Sequence, residues 1–359
     1  MLRRILSAIL SAALFLAALF GLQRLLVPKY MSRPFEGALT REYYAHAQGN
    51  SLLIIGDCEV YENISPLTLW EEYGIPSYIR GSAQQLLWQS YAMLEDALRH
   101  ETPRAVLLSV LCMIYAEPQK ETYNRMTLDG MPLSGTKIDA VRASILPEEE
   151  FLSYFFPILR FHSRWSELTR EDLRYYFANS RRRVSINGFV TRADTKPVGW
   201  IPDPPLLPNY EFSAMAWEYL DKIRELCEAR GIQLTLFKAP SLTPHWYPQW
   251  DRQITEYAQE HGLHYLNALD RADEIGLNFD TDTYDAGLHL NLRGAEKMAR
   301  YLGGWLIENC PALKDERGTD AALDAVWAIK SARYRAMRDA QEREIAEFGE
   351  VRSFFVPDD

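Results

Sequence analysis

The chain has 359 residues, of which 47% are hydrophobic and 25% are charged, the balance of an ordinary globular protein. A formal net charge of −10 argues against nucleic acid or another polyanion as its partner. The four cysteines are widely spaced and form no CxxC or Cys/His pattern, which argues against a disulfide framework and a structural zinc site.

The first 27 residues predict a membrane anchor. Arg3 and Arg4 precede an uncharged run of eighteen residues, 5–22, whose helical length of about 27 Å nearly matches a hydrocarbon core of roughly 30 Å. The run exceeds a usual signal-peptide core and has no clear small-x-small cleavage site, so we expect an uncleaved signal anchor. A removed signal peptide and a buried core helix are the alternatives. The short N-terminal arm favours a single-pass protein whose remaining chain lies outside the cytoplasm.

Residues 28–50 are polar and irregular and predict a tether. From residue 51 onwards, short apolar runs alternate with segments of helical periodicity, which predicts a parallel sheet covered by helices on both faces, a three-layer α/β/α domain spanning 51–310. Ser65, followed by proline, is typical of a helix N-terminus. The predicted strands are 51–56, 78–81, 105–111, 232–237 and 264–266, and the longer helices are 83–100, 212–229, 253–260 and 294–307.

Residues 117–209 show no strand–helix rhythm and are rich in aromatic residues and arginine, so we interpret them as a helical insertion that caps the sheet edge. Its densest cluster is either a platform for an acyl group or sugar ring, or a capped helix start with a core tryptophan. Residues 311–359 predict a C-terminal helical extension, either solvated on the domain surface or bound to a partner. The dense cluster within the insertion consists of Arg160, His162, Arg164 and Trp165.

Cys58 is the first candidate for chemistry. It follows the first predicted strand and precedes a helix, at the sheet edge where open α/β folds bind ligands. A side chain there gains exposure, the field of a helix N-terminus and backbone N–H groups for an oxyanion. A buried structural cysteine is the alternative. Its neighbours Asp57 and Glu59 are candidate substrate-binding residues.

His289 is the second candidate, in a loop that leads into the last core helix. Asp285 lies just upstream, and an aspartate–histidine pair supplies a general base and the group that orients it. At the end of the fourth predicted strand, Lys238 and Ser241 again point to the ligand-binding edge. The following aromatic loop contains His245 and Trp246, which either stack on a sugar or pack as a loop core.

Together these motifs resemble the SGNH/GDSL hydrolase superfamily: a strand followed by Gly-Asp-Cys, a glycine after the second strand, and Asp…His-Leu-Asn with a later glycine. The resemblance covers residues 51–309 and implies a flavodoxin-like sheet of SGNH type. It implies that Cys58 replaces the serine nucleophile, that Gly81 contributes an amide to the oxyanion site together with Cys58, that His289 is the general base and that Asp285 orients it. The anchor and insertion make the layout similar to the membrane-bound D-alanyl-transfer and alginate O-acetylation branch.

The sequence departs from the family pattern at three points. Cysteine stands in place of serine. Asp285 precedes the histidine by four residues rather than three, with Asp282 as the fallback. The asparagine expected after the third strand has no counterpart, so Ser109 or a backbone amide must replace it, and loss of one oxyanion donor typically costs about 10²–10³ in rate.

The resemblance predicts an acyl-ester hydrolase or O-acyltransferase that acts on a cell-envelope polysaccharide or related polymer, with a membrane-bound acyltransferase as a candidate partner. The alternative is a catalytically inactive domain of this type that binds glycan or scaffolds an envelope acylation complex. A cysteine peptidase is a weaker alternative because no protease-like motif surrounds Cys58. The sequence indicates no metal or organic cofactor.

Overall fold

The protein is described by a computed structural model that covers residues 1–27, 37–46, 49–177 and 184–352. The predicted tether at 28–50 therefore lies partly outside the described residues. Within it, Ala38–His46 form a helix whose Leu39 and Tyr43 side chains are buried, so this part of the segment is folded rather than irregular. The sequence pattern concealed this helix because its buried face also contains the polar residues Thr40 and Glu42.

A five-stranded, fully parallel sheet forms the centre of the domain, in the order β2-β1-β3-β4-β5. This is the flavodoxin-like order, in which the strand order reverses between β1 and β3 while all strands stay parallel. The predicted fold class is therefore confirmed. Nearly every strand position is buried because helices cover both faces, which explains the continuous apolar runs. The strands are β1 (Leu52–Gly56), β2 (Ser77–Gly81), β3 (Ala105–Ser109), β4 (Gln233–Lys238) and β5 (His264–Asn267).

Helices from several parts of the chain cover the sheet, whereas α1 packs against the insertion. Ser65 caps one of them as predicted, its hydroxyl accepting a hydrogen bond from the Thr68 amide, with Pro66 at the first helical position. The helices outside the insertion are α1 (Leu2–Leu26), α2 (Ala38–His46), α3 (Cys58–Asn63), α4 (Pro66–Tyr73), α5 (Leu87–Ala97), α10 (Ala214–Ala229), α11 (Pro248–Glu260), α12 (Ala272–Ile275), α13 (Leu292–Asn309) and α14 (Ala321–Phe348).

The insertion contains helices between residues 121 and 177, as expected, whereas its described residues 184–209 contain no helix. It contains α6 (Glu121–Leu128), α7 (Gly135–Ser144), α8 (Ile158–Phe161) and α9 (Arg170–Phe177). Short 3-10 turns at 151–154 and 162–167 connect the last of these. Helices α8 and α9 and the 162–167 turn pack against α1, so the insertion contacts the N-terminal helix.

Helix α1 is long and apolar enough to cross a membrane, and its most apolar window contains no buried residue. The helix is therefore compatible with the predicted anchor. The same length and composition also suit a signal sequence.

Helix α14 is the C-terminal helical segment that the sequence predicts. It is built into the domain: Trp327 is fully buried and stacks on Trp70, at a ring separation of 5.0 Å. Tyr334 and Met337 on the same helix belong to the same core cluster as β1 and α13. One stripe of α14 therefore belongs to the core, while the rest of the helix is solvated.

Candidate active site

Cys58 occupies the first turn of α3, directly after β1. Gly56 ends the strand where a side chain would clash, because an added Cβ would lie 2.4 Å from the Cβ of Ser109 on β3. Asp57 caps the helix, and its Oδ1 accepts a hydrogen bond from the Glu59 amide at 3.1 Å. The chain thus turns sharply at the carboxyl end of β1 and leaves Cys58 half-buried at the predicted sheet edge.

Two backbone segments face this turn. Gly81 pairs with Gly56 at the ends of β2 and β1, and an added Cβ on Gly81 would lie 3.1 Å from the carbonyl oxygens of Gly56 and Asp57. Three residues beyond the end of β2, the backbone of Gln84 is placed to hydrogen-bond the Cys58 sulfur. Gln84 adopts a left-handed backbone (φ 49°), which a non-glycine residue rarely does away from functional sites. Gln84 gives no signal in the sequence.

The surroundings of Cys58 disfavour its thiolate. Burial raises the pKa of the Cys58 thiol well above its ordinary value, and the carboxylates of Asp57, Glu62 and Glu59 raise it further. The Gln84 hydrogen bond acts in the opposite direction but is outweighed. In the free protein Cys58 is therefore a neutral thiol, in contrast to the preformed thiolate of many reactive cysteines.

Behind Cys58 lies a buried charge pair. Lys238 Nζ, at the end of β4, donates to Glu59 Oε1 at 2.7 Å and to the Ala239 carbonyl at 2.6 Å, and both side chains are essentially inaccessible. Burial and the Glu59 charge raise the pKa of Asp57 to about 7. Lys238, Glu59 and Asp57 thus form a buried support beneath the turn, rather than a surface open to substrate.

His289 is held by two carboxylates. Its Nδ1 lies 2.6 Å from Asp285 Oδ2 and 3.1 Å from Glu62 Oε2, and the Tyr284 hydroxyl donates to the same Glu62 oxygen. Burial alone would lower the pKa of His289, but the hydrogen bond that its ring donates to Asp285 and the charges of Glu62 and Asp285 outweigh burial and raise the pKa. Glu62 is missing from the sequence-based prediction, although it lies four residues after Cys58, the spacing that places two side chains on one helix face.

The loop conformation explains the unusual four-residue spacing of Asp285 and His289. Ala286 and Gly287 have positive φ values of 65° and 95°, which turn the chain back on itself. The Asp285 carboxylate therefore reaches both the backbone N–H of His289, at 2.7 Å, and its ring. The fallback residue Asp282 is engaged elsewhere, with Lys297 and Arg293.

Asn63, at the end of α3, ties the two halves of the site together. Its side-chain oxygen accepts from the Leu290 amide at 2.7 Å, and its amide donates to Ser241 Oγ at 3.0 Å. Nothing in the sequence pattern around Asn63 indicates this bridge. Ser241 therefore contributes to the site through Asn63.

The other imidazole nitrogen, Nε2 of His289, is buried and has no hydrogen-bond partner among the described residues. No hydrogen bond joins it to Cys58. The nitrogen is thus available to take a proton from a group that enters the site. Ser109, the residue considered as a replacement for the family's asparagine, instead accepts a hydrogen bond from the Leu111 amide through its Oγ.

Glu62, Asp285 and His289 each offer a ligand atom, and these atoms lie within 4.8 Å of one another. Three ligand atoms at these separations could coordinate a metal ion. The 2.6 Å separation between His289 Nδ1 and Asp285, however, is the length of a strong charge-assisted hydrogen bond. The arrangement fits a proton held between nitrogen and carboxylate better than a cation between them.

The remaining predicted substrate-binding residues divide into two groups. In the β4–α11 loop, Trp246 is buried among Phe212 and Trp250 and donates to Asp251, whereas His245 is exposed beside Tyr247. Trp246 therefore packs as a loop core, although Lys238 Nζ lies 5.8 Å from its ring centroid.

The insertion cluster makes its contacts away from Cys58. Arg164 Nη1 donates to the Leu26 carbonyl at the end of α1, and its Nη2 pairs with Asp172 at 2.8 Å. Arg160 lies 3.7 Å from Glu121, and His162 Nδ1 contacts the Leu159 carbonyl. Trp165 is 71% exposed, which excludes a core tryptophan. Of these four residues, Arg164 contacts the end of α1 through the Leu26 carbonyl.

Comparisons with known proteins give only distant likenesses. The sequence matches no family profile, and it matches no curated protein. Among solved structures, the fold is similar to a candidate acylhydrolase from Bacteroides fragilis (9% identity, TM-score 0.35), covering 72% of this chain and 86% of that one.

Two further structures are similar to the same degree. A G-D-S-L family lipolytic protein from Desulfitobacterium hafniense shares 12% identity at a TM-score of 0.34, over 71% of this chain and 99% of that one. A GDSL-like lipase from Bacteroides thetaiotaomicron shares 10% identity at 0.36, over 76% and 97%. These likenesses concern the overall fold, and the role of each site residue is inferred from the geometry of this protein.

Proposed function

We propose that this protein is an SGNH-type acyl-ester hydrolase or O-acyltransferase, anchored by α1 with its catalytic domain outside the cytoplasm. The observation that carries the proposal is the pairing of Asp285 with His289 Nδ1 at 2.6 Å, which leaves Nε2 unpartnered at the sheet edge where Cys58 lies. A carboxylate on one nitrogen fixes the tautomer and leaves the other nitrogen to act as a base.

In the proposed reaction, Cys58 Sγ attacks the acyl carbonyl while its proton passes to His289 Nε2. The oxyanion is received by backbone amides near Cys58 and Gly81, with Gln84 as a further donor once its hydrogen bond to the thiol is released. Departure of the alcohol, protonated by His289, leaves a thioester on Cys58. Attack by water or a polymer hydroxyl on that thioester, with its proton taken by His289, restores the thiol and releases acid or ester.

The raised pKa of Cys58 determines when the thiol loses its proton. Because the free thiol is neutral, proton transfer must accompany attack, as it does for a serine nucleophile. The site therefore suits a hydroxyl as well as a thiol, and we expect Cys58→Ser to retain measurable activity.

The natural substrate we propose is an acylated cell-envelope polysaccharide or related polymer, as in the membrane-bound D-alanyl-transfer and alginate O-acetylation branch. The anchor would hold the site near a membrane acyl donor, and proximity of this kind favours transfer. A membrane-bound acyltransferase is the proposed partner.

A second candidate function rests on a specific observation. No hydrogen bond joins Cys58 to His289, and three carboxylates oppose thiolate formation. These features would also suit a catalytically inactive domain of the same fold that binds glycan or scaffolds an acylation complex.

Acyl-enzyme trapping separates the two. The full chain in detergent is incubated with p-nitrophenyl acetate, and the acylated peptide is identified by mass spectrometry. Acetylation at Cys58 that disappears in His289→Ala, but persists in the matched control His261→Ala at a half-buried histidine outside the site, supports the enzyme. Absence of any acetylation at Cys58 in the folded protein, and at the introduced hydroxyl of Cys58→Ser, would favour the binding domain.

A further inference from the structure

Large apolar side chains are exposed on the part of the insertion that contacts α1. We name them the insertion face. Phe156 precedes α8 and is 45% exposed, Leu159 on α8 is 38% exposed, and Trp165 in the 162–167 turn is 71% exposed. Soluble surfaces rarely concentrate aromatic and aliphatic side chains on so short a segment without a binding role.

The insertion contacts the C-terminal end of α1. Arg164 donates to the Leu26 carbonyl, Arg24 lies over the Tyr176 ring at 5.8 Å, and Leu26 is buried. The preceding turns of α1, which form the apolar window, contain no buried residue. The folded domain therefore begins within about one or two helical turns of the point where the apolar helix ends, roughly 5–10 Å.

This proximity fixes where the insertion face must lie if α1 spans a membrane. A 25-residue helix is about 37 Å long, enough to cross a hydrocarbon core of roughly 30 Å and reach the headgroup region. Elements packed on its last two turns would then meet the bilayer surface. Tryptophan and phenylalanine favour that interface because their rings are apolar while the indole N–H can remain hydrated.

We propose that the insertion face is a second membrane contact, in which Phe156, Leu159 and Trp165 enter the interface of the outer leaflet beside α1. The inference rests on the proposed insertion of α1. The ligand is a phospholipid bilayer surface, held by apolar contacts rather than charge, because the chain's net charge of −10 would not favour anionic lipid. The domain then sits on the bilayer instead of hanging from a long tether.

Quenching by brominated lipid tests this with the full chain. None of the nine tryptophans lies in α1, so any quenching by dibrominated phosphatidylcholine vesicles, relative to unbrominated ones, reports contact of the domain with lipid. We expect the wild-type protein to be quenched and Trp165→Phe to lose most of the quenched component. The matched control is Trp200→Phe, because Trp200 is also highly exposed, at 85%, but lies outside the insertion face.

The outcomes are distinguishable. Quenching that is absent in the wild type, or that survives Trp165→Phe unchanged, overturns the proposal even when the protein resists alkaline extraction from the vesicles. Extraction by alkali shows that α1 is not inserted and overturns both the anchor and the insertion face. Acetylation of Cys58 is measured separately, so failure of the catalytic proposal leaves the quenching result intact.

Discussion

The two carboxylates on His289 make a quantitative prediction. Replacing Glu62 with glutamine removes a charge 3.1 Å from Nδ1 while keeping an acceptor for the Tyr284 hydroxyl. At this distance and an effective dielectric constant of about 20, Coulomb's law gives an upper limit of about 5 kcal/mol for a full charge pair. We expect the pKa of His289 to fall because one close opposite charge is lost, while Asp285 remains on the same nitrogen and still favours the imidazolium.

The assay needs no substrate. The Cε1–H resonances of the seven histidines are followed by NMR as a function of pH, with the His289 signal assigned from its absence in His289→Ala. In the wild type we expect an inflection above the ordinary value of about 6.5, because Asp285 and Glu62 favour the imidazolium. In Glu62→Gln the inflection should move to lower pH.

Activity should follow the same shift. His289 must be neutral to accept the proton from Cys58, so the rate of Cys58 acetylation should rise with pH through the pKa of His289. The rising limb should then begin at lower pH in Glu62→Gln. Glu72→Gln is the control, because Glu72 pairs with Arg300 on the surface. An unchanged His289 pKa in Glu62→Gln would refute the assignment of Glu62 to this imidazole.

Three further predictions concern the support beneath the site. Lys238→Met should destabilise the fold by about 3–5 kcal/mol in urea denaturation, because it leaves Glu59 buried without its partner; the surface control Lys222→Met should cost less than about 1 kcal/mol. Asp57 has a folded pKa of about 7, above the ordinary value, so it withdraws stability as pH rises from about 4 to 7. Asp57→Asn preserves the helix cap, so its free energy of unfolding should increase relative to the wild type over that window, with a ceiling on the order of 4 kcal/mol above pH 7. A difference in unfolding free energy that does not change with pH would contradict the burial of this carboxyl. Gly81→Ala should abolish Cys58 acetylation and cost about 1–3 kcal/mol, since its Cβ would lie 3.1 Å from two carbonyl oxygens; an active, stable variant would exclude the close approach of β2 to the turn.

The sheet was predictable because its strands are buried on both faces and read as continuous apolar runs, as at Leu52–Gly56. The C-terminal helix is harder to interpret, because Trp327 and Tyr334 are spread over a long charged segment whose core stripe is narrow. The pattern of α2 is similarly weak, since its buried residues include the polar Thr40 and Glu42.

The site was partly predictable for a different reason. Cys58, Gly81, Asp285 and His289 are marked by motifs that follow strands or precede a helix. Gln84 and Asn63 act through backbone geometry and a bridging amide, and neither leaves a trace in a single sequence. For Trp165 the sequence left a substrate platform and a core tryptophan open, and its 71% exposure excludes the core position.

The packing of α14 also has a consequence for how the protein is made. Gln341 donates to the Thr191 carbonyl and accepts from the Ala193 amide, while the intervening Arg192 carbonyl receives the Leu292 amide at the start of α13. The segment that follows donates from the Lys196 amide to Thr283, in the loop that leads to His289. During synthesis the Cys58 turn emerges before His289, and the helix that fastens this chain of contacts emerges after both. A nascent chain that ends before α14 would thus carry the cysteine without a firmly placed histidine, and the site would be completed only after α14 has been made.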